Sequence, residues 1–421
     1  MRAEKIKAQP FDCMQYFYTE VQEPRIRCFI RFGDRISETA LNRAVGLSIH
    51  AVPLIGCVFN EKRHCWEKRS FTADDIVHFV EAPAADEIPV PDCLLCSIDP
   101  AREPQLKIFL IRGKRNDSLC FIINHMICDG AGFKDYLYLL CNLYTKCEID
   151  AGYNRKPEPF GKRGLGQLLK NLSFKQKLEI LLSKPHYNKP DPAMIMPIKG
   201  GADKPMIVVA KIEKEQFAAI RARAKSRQVS VNDALLTAYI RAVHRATGCR
   251  EITIPCPVNL RKYRKAEQRC GICNLTANYI CSVDVDPEEP VDVTLRKVSV
   301  RMRAQKESNE CLKKPMLFHI TFHLLPFKTM WAIFRRNSPV PVTSYTNIGV
   351  LDDGRLHFGA HNAEDAFIST AVKKHPYFQL SVSTYNGSCT LTSSLYGTKE
   401  DRGFIENCFG RIIEELVLLP Q

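Results

Sequence analysis

Apolar and polar positions along this chain recur with two periods. Arg25 to Arg31 (R-I-R-C-F-I-R) largely alternates, which predicts a strand. Glu38 to His50 carries Leu41, Ala44, Val45 and Ile49 at spacings of three and four, the stripe of an amphipathic helix. Leu106 to Ile111 predicts a further strand, Lys114 to Asp117 a turn, and Leu119 to Asn124 the returning partner. These strands are mostly apolar on both faces, so a sheet covered on both sides is expected. A helix follows His125, with Phe133, Tyr136, Leu137, Leu140, Leu143 and Tyr144 along one stripe.

Residues 149 to 205 change character. They are rich in proline and charge and read as an inter-domain linker carrying a basic helix near Gln167 to Ser183. The pattern then restarts with a strand over Met206 to Ile212 and a helix over Lys214 to Gln228. Ser230 is placed to cap a long apolar helix that ends at Thr247. Strands are predicted at Ile252 to Val258, Asn278 to Val285 and Pro341 to Thr346. A hairpin joins Phe378–Tyr385 to Cys389–Tyr396 across the two-residue turn Asn386-Gly387, and Phe404 to Leu418 is a closing helix. The order suggests two similar α/β halves. Met316 to Arg336 is apolar with a basic end. It is expected to be a core helix; the sharper alternative is an acyl-pocket wall or a lipid-touching surface.

At 421 residues the chain is long enough for two domains, and 45% hydrophobic with 25% charged residues is ordinary for a soluble protein. The net charge of +14 adds something. It suits a partner bearing phosphate or carboxylate, such as a nucleotide-containing cofactor, an acidic carrier protein, nucleic acid or an anionic membrane. Nucleic acid is disfavoured, because the basic residues are scattered and no finger or aromatic–basic motif accompanies them. Eighteen irregularly spaced cysteines, many in apolar runs, with no apolar leader and no membrane-length span, point to a reducing cytoplasm. Two C-x-x-C pairs, Cys93/Cys96 and Cys270/Cys273, lie far apart, and His319/His323 and His357/His361 lack a third ligand. No metal site is expected.

The chemistry concentrates in Phe121-Ile-Ile-Asn-His125-Met-Ile-Cys-Asp129-Gly130-Ala-Gly132. A histidine at a strand end can accept a proton near neutral pH, since its ordinary pKa is about 6.5. Asp129 either caps the following helix or pairs with an arginine. Gly130 and Gly132 permit backbone angles that a side chain would forbid. The bland reading is a satisfied core histidine beside a capping aspartate. A dinucleotide fingerprint fails, because Asp135 stands where its third glycine belongs. No G-x-S-x-G elbow, P-loop or H-E-x-x-H is present, so a covalent enzyme intermediate is not indicated. Direct attack of one substrate on another, with His125 as base, fits better.

Asn124-His125-Met-Ile-Cys-Asp129-Gly130 resembles the H-H-x-x-x-D-G motif of the superfamily of condensation domains and coenzyme A-dependent acyltransferases, which includes chloramphenicol acetyltransferase. Pro10-Phe-Asp12 is similar to that superfamily's opening segment. Val229-Ser-Val-Asn232-Asp233 is similar to a helix start in its second half, Pro257-Val-Asn259-Leu-Arg261 to its arginine-bearing strand end, and Thr346-Asn347-Ile-Gly349 to its late S-N-x-G element. The order holds over nearly the whole chain, and the nearest likeness is to stand-alone bacterial alcohol acetyltransferases or condensation-like proteins.

The resemblance implies an α/β fold of two-layer sandwiches: a pseudo-dimer of chloramphenicol acetyltransferase-like halves, residues 1–185 and 186–421, with a channel between them. It implies acyl transfer from an acyl-coenzyme A or acyl carrier protein thioester, the co-substrate, to a hydroxyl or amine, with no tightly bound cofactor. His125 matches the catalytic histidine, while Asp129, Gly130 and Arg261 support its loop. Asn124, Gly132, Asn259, Ser344, Asn347 and Gly349 are candidates to line the channel or substrate site. A monomer is expected, and membrane contact is not favoured. The first motif histidine is Asn124 here; strand alternation points it away from His125 and gives it a structural role. That departure motivates the alternative, a non-catalytic binding or scaffolding protein of the same fold.

Overall fold

Strand Asp117–Asn124 is buried along its whole length and forms the spine of a six-stranded sheet. The computed structural model describes residues 4–82, 91–184, 191, 193–337 and 340–418. Across that sheet the order is His357–Phe358, His361–Ser369, Arg25–Phe32, Asp117–Asn124, Leu106–Arg112 and Val77–Glu81. Only the last pair is parallel. Alternate residues serve two cores, as the doubly apolar strands predict. Ile30, Leu119 and Phe121 join helices Glu38–Ala51 and Gly130–Ile149 on one face. Phe29, Ile111, Cys120 and Phe367 pack together on the other.

A second six-stranded sheet repeats the idea. Thr343–Leu351 runs parallel to Phe378–Tyr385, which pairs with Ser388–Leu395; Met206–Ile212, Val372–Lys373 and Gln22–Glu23 complete it. Helices Val231–Thr247, Val291–Glu307 and Lys399–Val417 bury their apolar stripes in its core. Glu251–Asn259 and Thr276–Asp284 form a separate antiparallel pair. The molecule is therefore a mixed α/β pseudo-dimer of two sheet-and-helix halves. The hairpin turn at Asn386-Gly387 has both residues at positive φ, 42° and 81°, as its sequence predicts.

The halves exchange strands. His361–Ser369, late in the chain, lies against Arg25–Phe32, with Phe367 opposite Phe29. Conversely, Gln22–Glu23 pairs with Val372–Lys373, with Gln22 opposite Lys373.

Two expectations need correction. The helix predicted near Gln167 to Ser183 is two, Gly166–Leu169 and Phe174–Leu182, because Ser173 caps a new start. Further along the expected linker, Met194, Met196 and Ile198 are buried in the second core. The apolar stretch 316–336 is not one core helix either. Helices Lys313–Leu324 and Phe327–Asn337 divide at Leu325-Pro326, where proline cannot continue the ladder. The first buries only Pro315 and Met316 and leaves Leu317, Ile320 and Leu324 exposed. Among the described residues, no helix is long and apolar enough to cross a membrane, and no group of three or more His, Cys, Asp or Glu side chains is placed to hold a metal ion. Of the paired histidines, His361 lies against Asp34 and Glu148.

Candidate active site

The spine strand ends at Asn124, and the chain turns sharply through His125–Cys128 before helix Gly130–Ile149 begins. Asn124 is fully buried. Its amide nitrogen donates to Gln105 Oε1 at 2.6 Å, and its carbonyl accepts from the Met126 N–H at 3.0 Å. The backbone N–H of His125 donates to the Pro24 carbonyl at 2.9 Å. These bonds fix the turn from below and send the His125 ring to the opposite side, into a cavity of about 290 Å³. That volume is at the lower end of small-molecule pockets, about 300 Å³.

Asp129 anchors the loop and serves both of its sequence-predicted roles. As helix N-cap, its Oδ1 accepts from Gly132 N–H at 2.8 Å. Arg261 Nη1 reaches both carboxylate oxygens at 3.0 Å. The Leu275 N–H (2.7 Å) and the Thr276 hydroxyl (2.9 Å) donate to Oδ2. Burial alone would raise this carboxyl, but Arg261 and the N–H donors outweigh burial and hold it below the ordinary carboxylate range. Burial likewise works against the charge on Arg261, and Asp129 more than restores it. Arg261 Nη2 and the Asp129 N–H both bond the Cys273 carbonyl, at 2.8 and 3.3 Å. Neither Gly130 nor Gly132 takes a positive φ, so the angular freedom expected of them is not used; Gly132 instead allows this approach, since a Cβ there would come within 3.1 Å of that same oxygen.

Segment 273–276 therefore docks against the histidine loop, and it contributes a residue the sequence reading missed. Asn274 is buried; its amide nitrogen donates to the carbonyls of His125 (2.8 Å) and Met126 (3.0 Å). That commitment leaves Asn274 Oδ1 facing His125 Nδ1 at 3.1 Å. An acceptor there requires the proton on Nδ1, so the neutral ring carries its lone pair on Nε2. Burial lowers the His125 pKa from 6.5; the ring's own carbonyl, Asp129 and Asn274 pull the other way without cancelling it. The imidazole is thus neutral at pH 7, with a fixed tautomer.

The other sequence-singled residues fall into two groups. Asn259, Ser344 and Asn347 line the cavity with His125, Asp129 and Gly130. Asn124 and Gly132 lie behind its wall, and Gly349 is just outside it. Asn259 Oδ1 accepts from Arg261 N–H at 3.0 Å and from Nη1 at 3.2 Å. Asn347 Nδ2 donates to Asn232 Oδ1 at 3.0 Å, which joins two elements the sequence showed as unconnected pieces. Gly349, at φ +79°, lets Asn347 Oδ1 accept from its N–H at 2.8 Å across a bulge. Lys134, also missed, donates to the Ile348 and Val350 carbonyls at 2.9 and 3.2 Å, tying the helix that follows the His125 loop to that bulge. Asp12, from the opening segment, is buried beneath the loop. It receives Arg163 at 2.9 and 3.1 Å, and Arg163 also bonds the Ile127 carbonyl. Helical or strand periodicity carries no signal for such partners, because each is paired with a residue distant in the chain.

No family model matches the chain, and no curated protein sequence matches it. Solved structures do. Polyketide synthase-associated protein 5 from Mycobacterium tuberculosis aligns with a TM-score of 0.69 at 13% identity over 99% of both chains. The first condensation domain of the CDA synthetase gives 0.68 at 12% identity, covering 100% of this chain and 96% of that one. A trichothecene 15-O-acetyltransferase from Fusarium sporotrichioides gives 0.70 at 11% identity, with the same coverage. The chain has the fold of the condensation domains and chloramphenicol acetyltransferase-like acyltransferases.

Proposed function

We propose that this protein transfers an acyl group from a thioester to a hydroxyl or amine, with His125 as the general base. The observation that carries the reading is the orientation of that imidazole. Asn274 holds Nδ1, burial keeps the ring neutral, and Nε2 is left unclaimed on a ring that lines the cavity. Nε2 takes the proton from the acceptor as its oxygen or nitrogen attacks the thioester carbonyl. The resulting tetrahedral intermediate collapses, the carbon–sulfur bond breaks, and the imidazolium returns the proton to the leaving thiolate. No protein nucleophile is required. Asp129 and Arg261 act as positioning residues: they touch the loop, not the reacting atoms.

The donor is a coenzyme A or carrier-protein thioester. The net charge of +14 suits the phosphates of either, and no tightly held cofactor takes part. The non-catalytic alternative rests on Asn124. Its side chain is spent under the loop, on Gln105 and Met126, so its identity takes nothing from the base.

The test is purified protein assayed by mass spectrometry against a panel of acyl thioesters with alcohol and amine acceptors. Product formation should fall by about 10²–10⁴ in His125→Ala, with the melting temperature little changed. Equal rates in the variant and the parent protein would remove His125 from the reaction. No product with any pair would leave the binding or scaffolding reading.

A further inference from the structure

The charges lining the cavity do not balance. Among the described residues that line it, Asp129 is the only carboxylate, and Arg261 already neutralises it. Two ammonium groups line the same space, Lys134 and Lys373. Lys134 is spent on two backbone carbonyls. Lys373 is different. It is 7% exposed, and among the described residues its ammonium has one hydrogen-bond partner, a neutral one, the Gln22 side-chain carbonyl. The nearby acid does not serve it: Glu23 sits on the other face of its two-residue strand, engaged with Arg27 and the Tyr396 hydroxyl. Thr370 and Gln379 line the wall beside it, adding neutral polar groups but no anion.

A buried ammonium needs an anion or several good acceptors to offset the water it has lost. Lys373 has three N–H donors and one acceptor. Its position relative to the reaction is also defined. Gln22 lies two residues before Pro24, whose carbonyl holds the His125 backbone N–H. Burial moves the Lys373 amine down to about 8, which still leaves it mostly protonated at pH 7.

We propose that Lys373 binds a carboxylate carried by the substrate, so that the cavity selects an acid-bearing acyl group or an acid-bearing acceptor. This deepens the acyl-transfer reading, because it names the substrate class of the same cavity. The carboxylate would complete the coordination that Gln22 begins, and its charge would offset the excess in the wall. A neutral substrate of the same shape would leave the ammonium bare, and that asymmetry discriminates strongly.

The test reads binding, so it stands even if no acyl transfer is found. Two isosteric pairs are titrated calorimetrically into the full-length protein. On the donor side they are the succinyl and isocaproyl thioesters of N-acetylcysteamine; on the acceptor side, β-hydroxybutyrate and methyl isobutyl carbinol. The same titrations are made with Lys373→Met and with Gln22→Glu, which supplies an internal carboxylate to the lysine. The parent protein should bind the acid of at least one pair about 10- to 100-fold more tightly than its isostere. The pair that responds identifies the source of the carboxylate, and both variants should lose the preference. No preference in either pair, or a preference that survives in Lys373→Met, overturns the proposal. Should Lys373→Met fail to fold, Gln22→Glu decides alone: a lost preference supports the assignment and a retained one overturns it. In the acyl-transfer assay, Lys373→Met should slow acid-bearing pairs selectively. Equal slowing of neutral pairs would place the ammonium at the reacting carbonyl instead, and would also overturn it.

Discussion

The groups that brace the His125 loop and two groups that line its cavity, His125 and Lys373, are treated in opposite ways. In the bracing set, both oxygens of Asp129 are filled by Arg261, Thr276 and two backbone N–H groups, and Asn124 and Asn274 spend their amides on the turn. On the cavity side, His125 presents an unprotonated Nε2, and Lys373 presents an ammonium with one neutral partner. Filled groups hold a shape. Unfilled ones cost stability in the empty protein and recover it only when a ligand arrives. On the proposed reading, the contrast separates charges that serve the fold from charges kept for a substrate.

The strongest way to break this contrast is to remove a charge from each side. Arg261→Met leaves the Asp129 carboxylate buried with two N–H donors and the Thr276 hydroxyl but no counter-charge, and should cost about 3–5 kcal/mol in denaturant titrations. Its loss should also change the acid response. A depressed Asp129 contributes stability that is present above the ordinary carboxylate pKa and fades as pH falls through the lower folded value. Without Arg261 that fading should begin at higher pH. Lys373→Met, by contrast, should melt no lower than the parent. Two variants with equal losses would erase the distinction.

Asn274 joins the two sides, so it gives the next largest effect. Asn274→Ala frees the ring to change tautomer and should lower kcat about 10- to 100-fold with little change in KM. Asn274→Asp should stabilise the imidazolium and move the acid limb of the rate profile upward. A residue that merely packs would move neither the tautomer-sensitive rate nor that limb.

The parent's pH profile sharpens the cavity side. Desolvation lowers the folded pKa of His125 below 6.5, so the base stays unprotonated as pH falls to 6.5 and is lost only beneath it. kcat/KM should therefore be level above 6.5 and decline below. The unfolded chain binds its proton first, so stability falls over the same acid range. An acid limb above pH 7 would contradict the burial argument. The smallest effect belongs to Asn124→His, which restores the doubled histidine of the superfamily motif. It breaks the Gln105 bond and should cost about 1 kcal/mol, while leaving activity within about threefold of the parent.

Much of the framework was legible in the chain because it is periodic. The spine strand, the Ser230-capped helix and the Asn386-Gly387 hairpin follow from local patterns that packing reinforces. Strand His361–Ser369 escaped notice because its first half reads H-N-A-E-D, with little apolar alternation; its partner strand, not its own propensity, makes it β. The site divides in the same way. His125, Asp129 and Arg261 stand in recognisable local motifs, and their spacing carried the expectation. Asn274 and Lys373 have no local signature. Asn274 stands beside the C-x-x-C pair, which draws the eye as a metal motif, and Lys373 is one basic residue among sixty until the strands fold it inward. Long-range pairing is what gives these two their meaning.

The strand exchange has a consequence for how this protein can be altered. If the chain were cut between its halves, the first sheet would lose His361–Ser369 and expose the whole edge of Arg25–Phe32, an open template for promiscuous pairing. The second would lose the short strand that carries Gln22 to Lys373. Recombination that swaps one half for a relative's would therefore have to carry a borrowed strand across the junction. The two halves are bound to be inherited together, and a change in substrate preference is most readily reached by substitution around the cavity.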